Sequence, residues 1–547
     1  MLQRPHREEQ SPTFRCAETN PWRIAVSFAV LLPLSCAGGC EHEESSGPER
    51  SRTEGVRIST TTSPAAPDAT VPAISPPTST RESGDAGADG GTPPWPGPFF
   101  TVTSGSTGIY AQPASERALK VGYARNGGRI PVFPEKVVND ACRAGWYAGV
   151  QGGFICSSEG TIDPEDPRAR LSATAPNLEA VLPYPYARNA RNGTPLYSSV
   201  PTVDQITAYE SHAEREPARG AADGNDRPWW QRERVQLSQV RLAELATESD
   251  GLLARRLVQG FYIAVDREFE WESRSWYKTT KGMVAPKDRF VAVEGPSFHG
   301  VELTDEHTLP LAWPYAGRDS RPRYRIEPAS GVKQVGTFTR LQPVHLTGQK
   351  TEAGGRTYLQ TVDQDWVQAD QVRVASAPLT LPAQLAADER WIAVDLQTQT
   401  LVALVGERPI YATLVSSGKE TSDAATDHRS PSGEWFIREK HVTTTMDGDG
   451  TAAGDLLYSI EDVPYVMYFE GSYALHGAFW HRNFGVRMSH GCINLAPLDA
   501  KYLFFFTDPP VRAGWHGAWS GNGQKGSRVV IGGGTPPPRP RAGPAGP

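Results

Sequence analysis

A cysteine near the C-terminus stands among residues suited to acyl-transfer chemistry. Cys492 lies in the run Ser-His-Gly-Cys-Ile-Asn at residues 489–494, and His476 precedes it by sixteen positions. A thiol is a nucleophile, an imidazole can take its proton, and a glycine N–H can donate to a developing oxyanion. The combination predicts a cysteine acyltransferase in which Cys492 attacks and His476 moves protons.

The residues before Cys492 predict the elements that position it. Residues 390–396 and 401–405 are apolar or alternating stretches around a short polar turn, which is the pattern of a hairpin. Another apolar run, at 463–469, leads directly into the segment of His476. We therefore expect a mostly β domain that carries the site at its rim.

Residues of about 388 to 534 resemble an L,D-transpeptidase catalytic domain of the YkuD type. The resemblance rests on five elements in the right order: the strand at 392–396, Ser417-Gly418-Lys419, Pro431-Ser432-Gly433, His476-Gly477 and the Ser-His-Gly-Cys signature. It implies a YkuD-type β-sandwich. The family commonly has Thr where this chain has Ser432, and many members have Arg where it has Asn494.

The resemblance also implies a role for each residue of the site. Cys492 would attack the carbonyl between an L-centre and D-alanine in a peptidoglycan stem peptide and form a thioester. His476 would take the thiol proton, with its ring oriented by the carbonyl of Gly477. The N–H groups of Gly491 and Cys492 would stabilise the oxyanion. His490 is expected to shape this catalytic loop.

Three further residues are assigned to substrate binding: Tyr468, Ser489 and Asn494. For Tyr468 a place in the hydrophobic core is the alternative. His481 and Arg482, between the two motif halves, are interpreted as lid or pocket residues, with plain surface charge as the alternative.

Three functions are compatible with these residues. The leading one is an L,D-transpeptidase that links stem peptides through two diaminopimelate residues, or attaches the wall to an acceptor protein. The second is an L,D-carboxypeptidase or hydrolase, in which water replaces the acceptor amine. The third is a wall-binding scaffold with an inactive catalytic domain, against which the intact Cys492, His476 and Gly491 argue.

Composition narrows the choice of partners. The chain has 547 residues, so several domains are expected, and its 53 Gly and 47 Pro favour strands and turns. Its formal charge is −7 without a basic tract, which argues against nucleic acid as a partner. No CxxC and no histidine cluster with metal spacing occurs in the sequence, so we expect neither a metal nor a cofactor.

The N-terminus has the pattern of an export signal. Residues 1–40 contain an apolar run at 24–34, too short to span a bilayer, followed by small residues before Cys40. This resembles a lipobox with Cys40 as the lipidated residue, and Cys36 is the rival position. We therefore expect an exported protein of the periplasm or cell envelope, held to a membrane by a lipid anchor. Residues 41–98 and 535–547 have the composition of a disordered linker and tail.

The middle of the chain carries a weak internal repeat. Ala-Arg-Asn-Gly occurs at 124–127 and at 190–193, and an aromatic pair followed by a glycine turn occurs after each. The pairs are Trp146-Tyr147 and Trp276-Tyr277, with a looser third example at Asp365-Trp366-Val367. Short strands with Asn-Gly and Gly-Gly turns resemble tandem bacterial SH3-like small β-barrels. We expect modules at 99–168, at 180–295 with an insertion, and at 296–378, with the aromatic pairs in their cores.

Two local expectations remain. Residues 231–257 mix apolar and charged side chains in a way that favours a short amphipathic helix inside the insertion. Cys142 and Cys156 flank a predicted hairpin, so in an oxidising compartment they are expected to form a disulfide, with two buried small hydrophobic residues as the alternative. Cys492 would then be an unpaired thiol in an exported protein, which marks it as reactive.

Overall fold

The computed structural model describes residues 95–214, 251–315, 317, 319–327, 331–378, 380–423, 427–448 and 458–534. The predicted signal peptide with Cys40, the predicted linker up to residue 94 and the predicted tail lie outside the described residues. Strands dominate the described part, as the composition predicts. No helix in that part is long and apolar enough to cross a membrane.

Module 1 begins at Phe99 and ends at Thr161. Its strands are β1 (Phe99–Val102), β2 (Ser106–Tyr110), β3 (Lys120–Arg125), β4 (Arg129–Asn139), β5 (Cys142–Gly149), β6 (Phe154–Cys156) and β7 (Gly160–Thr161), and the short helix α1 (Pro167–Arg170) follows. Cys142 and Cys156 are joined by a disulfide with an S–S distance of 1.99 Å and a Cα–Cα distance of 5.9 Å. The bridge ties β5 to β6, its hairpin partner.

Module 2 begins at Tyr186 and ends at Val293. Its elements are β8 (Tyr186–Asn189), β9 (Thr194–Tyr197), α2 (Val203–Glu214), β10 (Leu253–Leu257), β11 (Tyr262–Trp271), β12 (Arg274–Thr279), β13 (Val284–Pro286) and β14 (Phe290–Val293). The amphipathic helix expected up to residue 257 is wrong at its end, because β10 pairs with β9 there. The rest of that expectation, from 231 to 250, lies outside the described residues.

Module 3 follows a two-residue strand, β15 (Val301–Glu302), that belongs to the C-terminal domain. Its own strands are β16 (Leu311–Pro314), β17 (Ser320–Glu327), β18 (Gly331–Thr339), β19 (Val344–Ala353), β20 (Arg356–Thr361), β21 (Trp366–Gln368) and β22 (Val372–Ala375). The predicted start of this module at residue 296 is therefore too early, because Val301 and Glu302 pair with a strand of the C-terminal domain.

All three modules share one strand order. Module 1 pairs as β7-β1-β4-β5-β6-β2-β3, and modules 2 and 3 as β14-β8-β11-β12-β13-β9-β10 and β22-β16-β19-β20-β21-β17-β18. In each, a 3₁₀ turn precedes the last strand, at Ser157–Glu159, Lys287–Arg289 and Ala369–Gln371. Within the described residues no pairing joins the two ends of these series into a closed barrel. The three modules are therefore structural repeats, and their similarity to SH3-like barrels stays a prediction.

The sequence repeat marks equivalent positions only in part. Trp146-Tyr147 in β5 and Trp276-Tyr277 in β12 occupy the same place in the shared order, and all four residues are buried. The two Ala-Arg-Asn-Gly runs do not, because the first turns β3 into β4 and the second turns β8 into β9. Each run supplies a glycine at positive φ, 84° for Gly127 and 79° for Gly193, so the motif reports a tight turn and no particular place in the module.

The C-terminal domain packs two sheets and a helix around one core. Its elements are β23 (Arg390–Asp395), β24 (Thr400–Val405), β25 (Arg408–Leu414), β26 (Gly433–Phe436), β27 (Glu439–Gly448), β28 (Tyr458–Glu470), β29 (Tyr473–Gly477), β30 (Ile493–Leu495), α3 (Pro497–Phe506), β31 (Gly517–Trp519) and β32 (Arg528–Gly532). The predicted hairpin is confirmed, since β23 pairs antiparallel with β24. One sheet runs β15-β25-β24-β23-β32-β26, and β27 to β31 form the other. Apolar residues of both sheets and of α3 fill the space between them.

Modules 1 and 2 add strands directly to this domain. Tyr123 in β3 pairs with Gly517 in β31, and Tyr262 in β11 pairs with Ile460 in β28. A cluster of buried residues contains side chains of both module 2 and the C-terminal domain, and the partly buried Cys492 packs against it. The surroundings of Cys492 therefore include a module as well as its own domain.

Candidate active site

Cys492 directly precedes strand β30, which lies beside the strand that carries His476. Strand β29 lies parallel to β30, and His476 is directly opposite Asn494. Residues opposite one another in a sheet share a face, and residues two apart on an extended chain share it too. Cys492 packs against the same cluster as Trp480, on whose ring His476 stacks, so the thiol and the imidazole lie on the same side of β29 and β30.

The His476 ring is held in one orientation. Its Nδ1 lies 3.2 Å from the carbonyl oxygen of Gly477, and its ring stacks on Trp480 with 5.7 Å between centroids. A carbonyl oxygen only accepts, so Nδ1 carries the proton and Nε2 is left to accept one. Burial lowers the pKa of His476 to about 4, which keeps the imidazole neutral near pH 7.

The Cys492 side chain is protonated in this environment. Its Sγ lies 3.7 Å from the carbonyl oxygen of Ser472, and it is the free cysteine of the described residues. Burial raises the pKa of the thiol to about 11. The resting pair is thus a neutral thiol and a neutral imidazole, so the proton must move as the sulfur attacks.

Two tyrosines of β28 border the thiol. Tyr468 and Tyr458 are half-buried beside Cys492, and both interact with it electrostatically. Burial, with Cys492 as the next cause, raises the pKa of Tyr468 to about 12. The Tyr458 ring stacks on the exposed His490 at 5.1 Å. Tyr468 therefore lies beside the thiol, and its contact with substrate stays a prediction. Tyr458 was missed because it begins a strand far from either motif.

Hydrogen bonds within the loop hold residues 489–492 in place. The hydroxyl of Ser489 accepts from the N–H of Gly491 at 3.1 Å and donates to the carbonyl of Cys492. Ser430 donates to the carbonyl of Gly491 and accepts from the N–H of Gly418 at 2.9 Å. Ser489 thus stabilises the conformation of the loop. Its contact with substrate stays a prediction. The oxyanion role of Gly491 also stays a prediction, because its N–H now donates to the hydroxyl of Ser489 and would have to release it before donating to substrate.

Position 491 requires glycine. The φ of Gly491 is 121°, which a residue with a side chain rarely adopts. A Cβ atom there would lie 2.5 Å from the ring of Tyr473. The glycine of the signature is therefore needed for the shape of the loop, whatever its N–H does in catalysis.

Asn494 pairs with His481, a partner that the sequence did not reveal. Its side-chain amide lies 3.0 Å from Nε2 of His481, whose Nδ1 accepts from the N–H of Asn483 at 3.3 Å. A neutral imidazole that accepts at Nδ1 must donate at Nε2, so the amide atom facing it is the oxygen. This assignment gives the otherwise unpartnered Asn494 oxygen its hydrogen bond to His481 and puts the NH₂ group at the position that the oxygen occupied.

The C-terminal domain is similar to a known family. Residues 389–531 match the family described as YkuD, L,D-transpeptidase catalytic domain. A comparison with curated proteins finds no match.

Three solved structures are among those similar to this chain. An L,D-transpeptidase from Stackebrandtia nassauensis is 24% identical over 28% of this chain and 60% of its own, with a TM-score of 0.20. The catalytic domain of the L,D-transpeptidase from E. faecium is 22% identical over 26% of this chain and 97% of its own, with a TM-score of 0.20. An L,D-transpeptidase from Mycobacterium smegmatis is 17% identical over 44% and 93%, also with a TM-score of 0.20. This chain thus spans less than two thirds of the Stackebrandtia protein.

Proposed function

We propose that this chain is an L,D-transpeptidase that acts on peptidoglycan stem peptides through a thioester on Cys492. The observation that carries the proposal is that His476 lies in β29, directly beside β30, which Cys492 precedes, with Nδ1 of His476 held by the carbonyl of Gly477. The family match over residues 389–531 supports the same chemistry.

In the first half-reaction the sulfur attacks the carbonyl that precedes D-alanine. As the C–S bond forms, the thiol proton passes to Nε2 of His476, which is neutral because burial has lowered its pKa. The tetrahedral intermediate collapses, the C–N bond breaks, and the departing D-alanine amine takes the proton from His476. The product is a thioester between Cys492 and the shortened donor peptide.

In the second half-reaction an amine of another stem peptide attacks the thioester. His476 takes the amine proton and returns it to the leaving sulfur, so that a new amide forms and the thiol is restored. If water takes the place of the amine, the same residues catalyse hydrolysis. Exclusion of water beside the reacting atoms favours transfer, and the half-buried Tyr458, Tyr468 and Trp480 supply apolar surface there.

We further propose that the protein is exported and lipid-anchored at Cys40, and that it works at the cell envelope. This proposal rests on the sequence of residues 1–40. The alternative acceptor, a wall-linked protein, would enter at the second half-reaction without any change in the roles of Cys492 and His476.

Intact-protein mass spectrometry with a disaccharide tetrapeptide tests the reaction. The wild type is expected to gain the mass of the donor without D-alanine, and Cys492→Ala is expected to gain nothing. Dimeric peptide product is expected with excess acceptor. Tripeptide product without dimers would overturn the transferase proposal in favour of hydrolysis, and no adduct with peptide or with a carbapenem would favour the scaffold.

A further inference from the structure

We propose that a groove between module 2 and the loop after His476 binds the acceptor stem peptide, and that Arg188 and Arg482 bind the carboxylate of its D-glutamyl residue. The groove is an open depression of about 410 Å³ between strands β8, β11 and β14 on one side and residues 479–482 on the other. The inference rests on the proposed function and names a binding site for its second substrate.

One wall of the groove is a sheet face of module 2. Arg188 lies opposite Tyr262 on one neighbouring strand and opposite Val291 on the other, so the three side chains share a face. The alternate residues Ala187 and Ile263 point the other way and are buried in the core of the module. The face with Arg188 is therefore available to a ligand, and Arg188 is exposed on it.

The other wall leads to the catalytic base. Tyr262 contacts Phe479 with 5.5 Å between ring centroids, Phe479 contacts Trp480 at 5.2 Å, and Trp480 stacks on His476 at 5.7 Å. Three ring contacts thus separate the module face from the imidazole that takes the proton of the acceptor amine. A group of the acceptor that binds Arg188 must therefore lie many covalent bonds away from the reacting amine of the same molecule.

The charges of the groove favour an anionic ligand. Within the described residues, the guanidinium groups of Arg188 and Arg482 have neither a hydrogen bond nor an ion pair to another side chain, and both residues are exposed. Glu294 provides the single opposing charge among the residues that line the groove. His481 also lines it and is neutral, because burial lowers its pKa to about 4. An excess of one positive charge remains.

The acceptor peptide has a carboxylate many bonds away from its reacting amine. In a stem tripeptide the reacting amine is at the end of the diaminopimelate side chain, and the D-glutamyl residue before it carries a free α-carboxylate. With the amine at Cys492 and His476, the peptide can run past Trp480 and present this carboxylate to Arg188 and Arg482. Guanidinium groups bind carboxylates through charge-assisted hydrogen bonds.

Binding to the full-length Cys492→Ala protein tests this site without requiring any reaction. The two probes are the tripeptide L-Ala-γ-D-Glu-meso-diaminopimelate and the same peptide with D-isoglutamine, which replaces one carboxylate by an amide. Calorimetry is expected to show about tenfold weaker binding of the tripeptide when Arg188→Ala or Arg482→Ala is added. The isoglutamine peptide is expected to bind the parent about tenfold more weakly and to be insensitive to both changes.

Arg143→Ala is the matched control, since Arg143 is exposed on β5 in module 1, away from the groove. It is expected to leave both affinities unchanged. Equal binding of the two peptides to the parent, or equal weakening of both by the arginine changes, would overturn the inference. Because binding is measured without the thiol, these outcomes are independent of whether Cys492 forms a thioester.

A kinetic measurement assigns the groove to the acceptor. In proteins with Cys492 intact, Arg188→Ala is expected to leave the rate of thioester formation unchanged and to raise the KM for the acceptor tripeptide about tenfold. A slower thioester formation with an unchanged acceptor KM would overturn the assignment, because it would place the donor in the groove.

Discussion

Arg125 of module 1 donates to the buried carboxylate of Asp462, with 2.8 Å between Nη1 and Oδ1. Asp462 lies in β28, between Tyr458 and Tyr468, and its side chain is fully buried. Thr280 and Lys281 of module 2 reach the same carboxylate, Lys281 at 3.4 Å. Asp462 thus links the strand that borders Cys492 to both modules.

Arg125→Ala is expected to destabilise the protein by about 3 kcal/mol, because it leaves a buried carboxylate with less compensation. Chemical denaturation would measure the change. Arg170→Ala is the control: Arg170 and its partner Glu165 are 60% and 73% exposed, so a change below about 0.5 kcal/mol is expected. Equal effects of the two substitutions would contradict a structural role for the Arg125–Asp462 pair.

The reactivity of Cys492 should depend on pH as the reactivity of a neutral thiol does. Since burial raises its pKa to about 11, the rate of alkylation by iodoacetamide is expected to rise with pH throughout the range from 6 to 10. Acylation by a peptide or carbapenem should instead fall only below about pH 4, where His476 becomes protonated and can no longer accept the thiol proton. An alkylation rate that levels off near pH 7 would indicate a thiolate–imidazolium pair and contradict this picture.

Gly491→Ala is expected to abolish acylation of Cys492. The new Cβ atom would meet the Tyr473 ring at 2.5 Å at a φ that alanine avoids, so the loop must move. Gly471→Ala is the matched control, because Gly471 also has a positive φ, 47°, but no atom lies within 4 Å of the added Cβ. It should cost about 1 kcal/mol of stability and leave acylation intact. Intact-mass measurement of the carbapenem adduct distinguishes the two, and normal acylation of Gly491→Ala would refute the steric argument.

Lys440 should make the stability of the protein rise with pH between about 7 and 9. Its buried ammonium donates to the carbonyls of Phe504 and Thr507 at the end of α3, and burial lowers its pKa from 10.5 to about 7. The unfolded chain keeps this proton up to about pH 10, so above pH 7 it binds more protons than the folded protein and stability increases.

The slope from this one group is at most about 1.4 kcal/mol per pH unit. Lys440→Met is expected to remove this contribution to the slope. The difference in unfolding free energy between wild type and variant should therefore change between pH 7 and 9. A difference that stays constant from pH 7 to 9 would show that Lys440 does not titrate there. Comparison with the wild type cancels the other titrating groups.

Several features of the molecule could be read from neighbouring residues alone. The β23–β24 hairpin follows from two apolar stretches around a polar turn, and the glycine turns follow from residues that tolerate positive φ. Cys492 and His476 were found because each lies in a short run whose residue types suit one chemistry. The disulfide partners were found because a hairpin brings residues fourteen positions apart together.

Other features depend on contacts between residues far apart in the chain. The Ala-Arg-Asn-Gly runs were matched wrongly as repeats, since any tight turn can carry that sequence and only strand pairing shows its place. The Asn494–His481 pair, the Tyr458 contact and the Arg188 groove have no signal in the residues beside them. The sequence by itself determined which groups can react, because reactivity belongs to side-chain type. Tertiary structure decided what surrounds them, because burial, pKa and the walls of the groove arise from strands that meet only after folding.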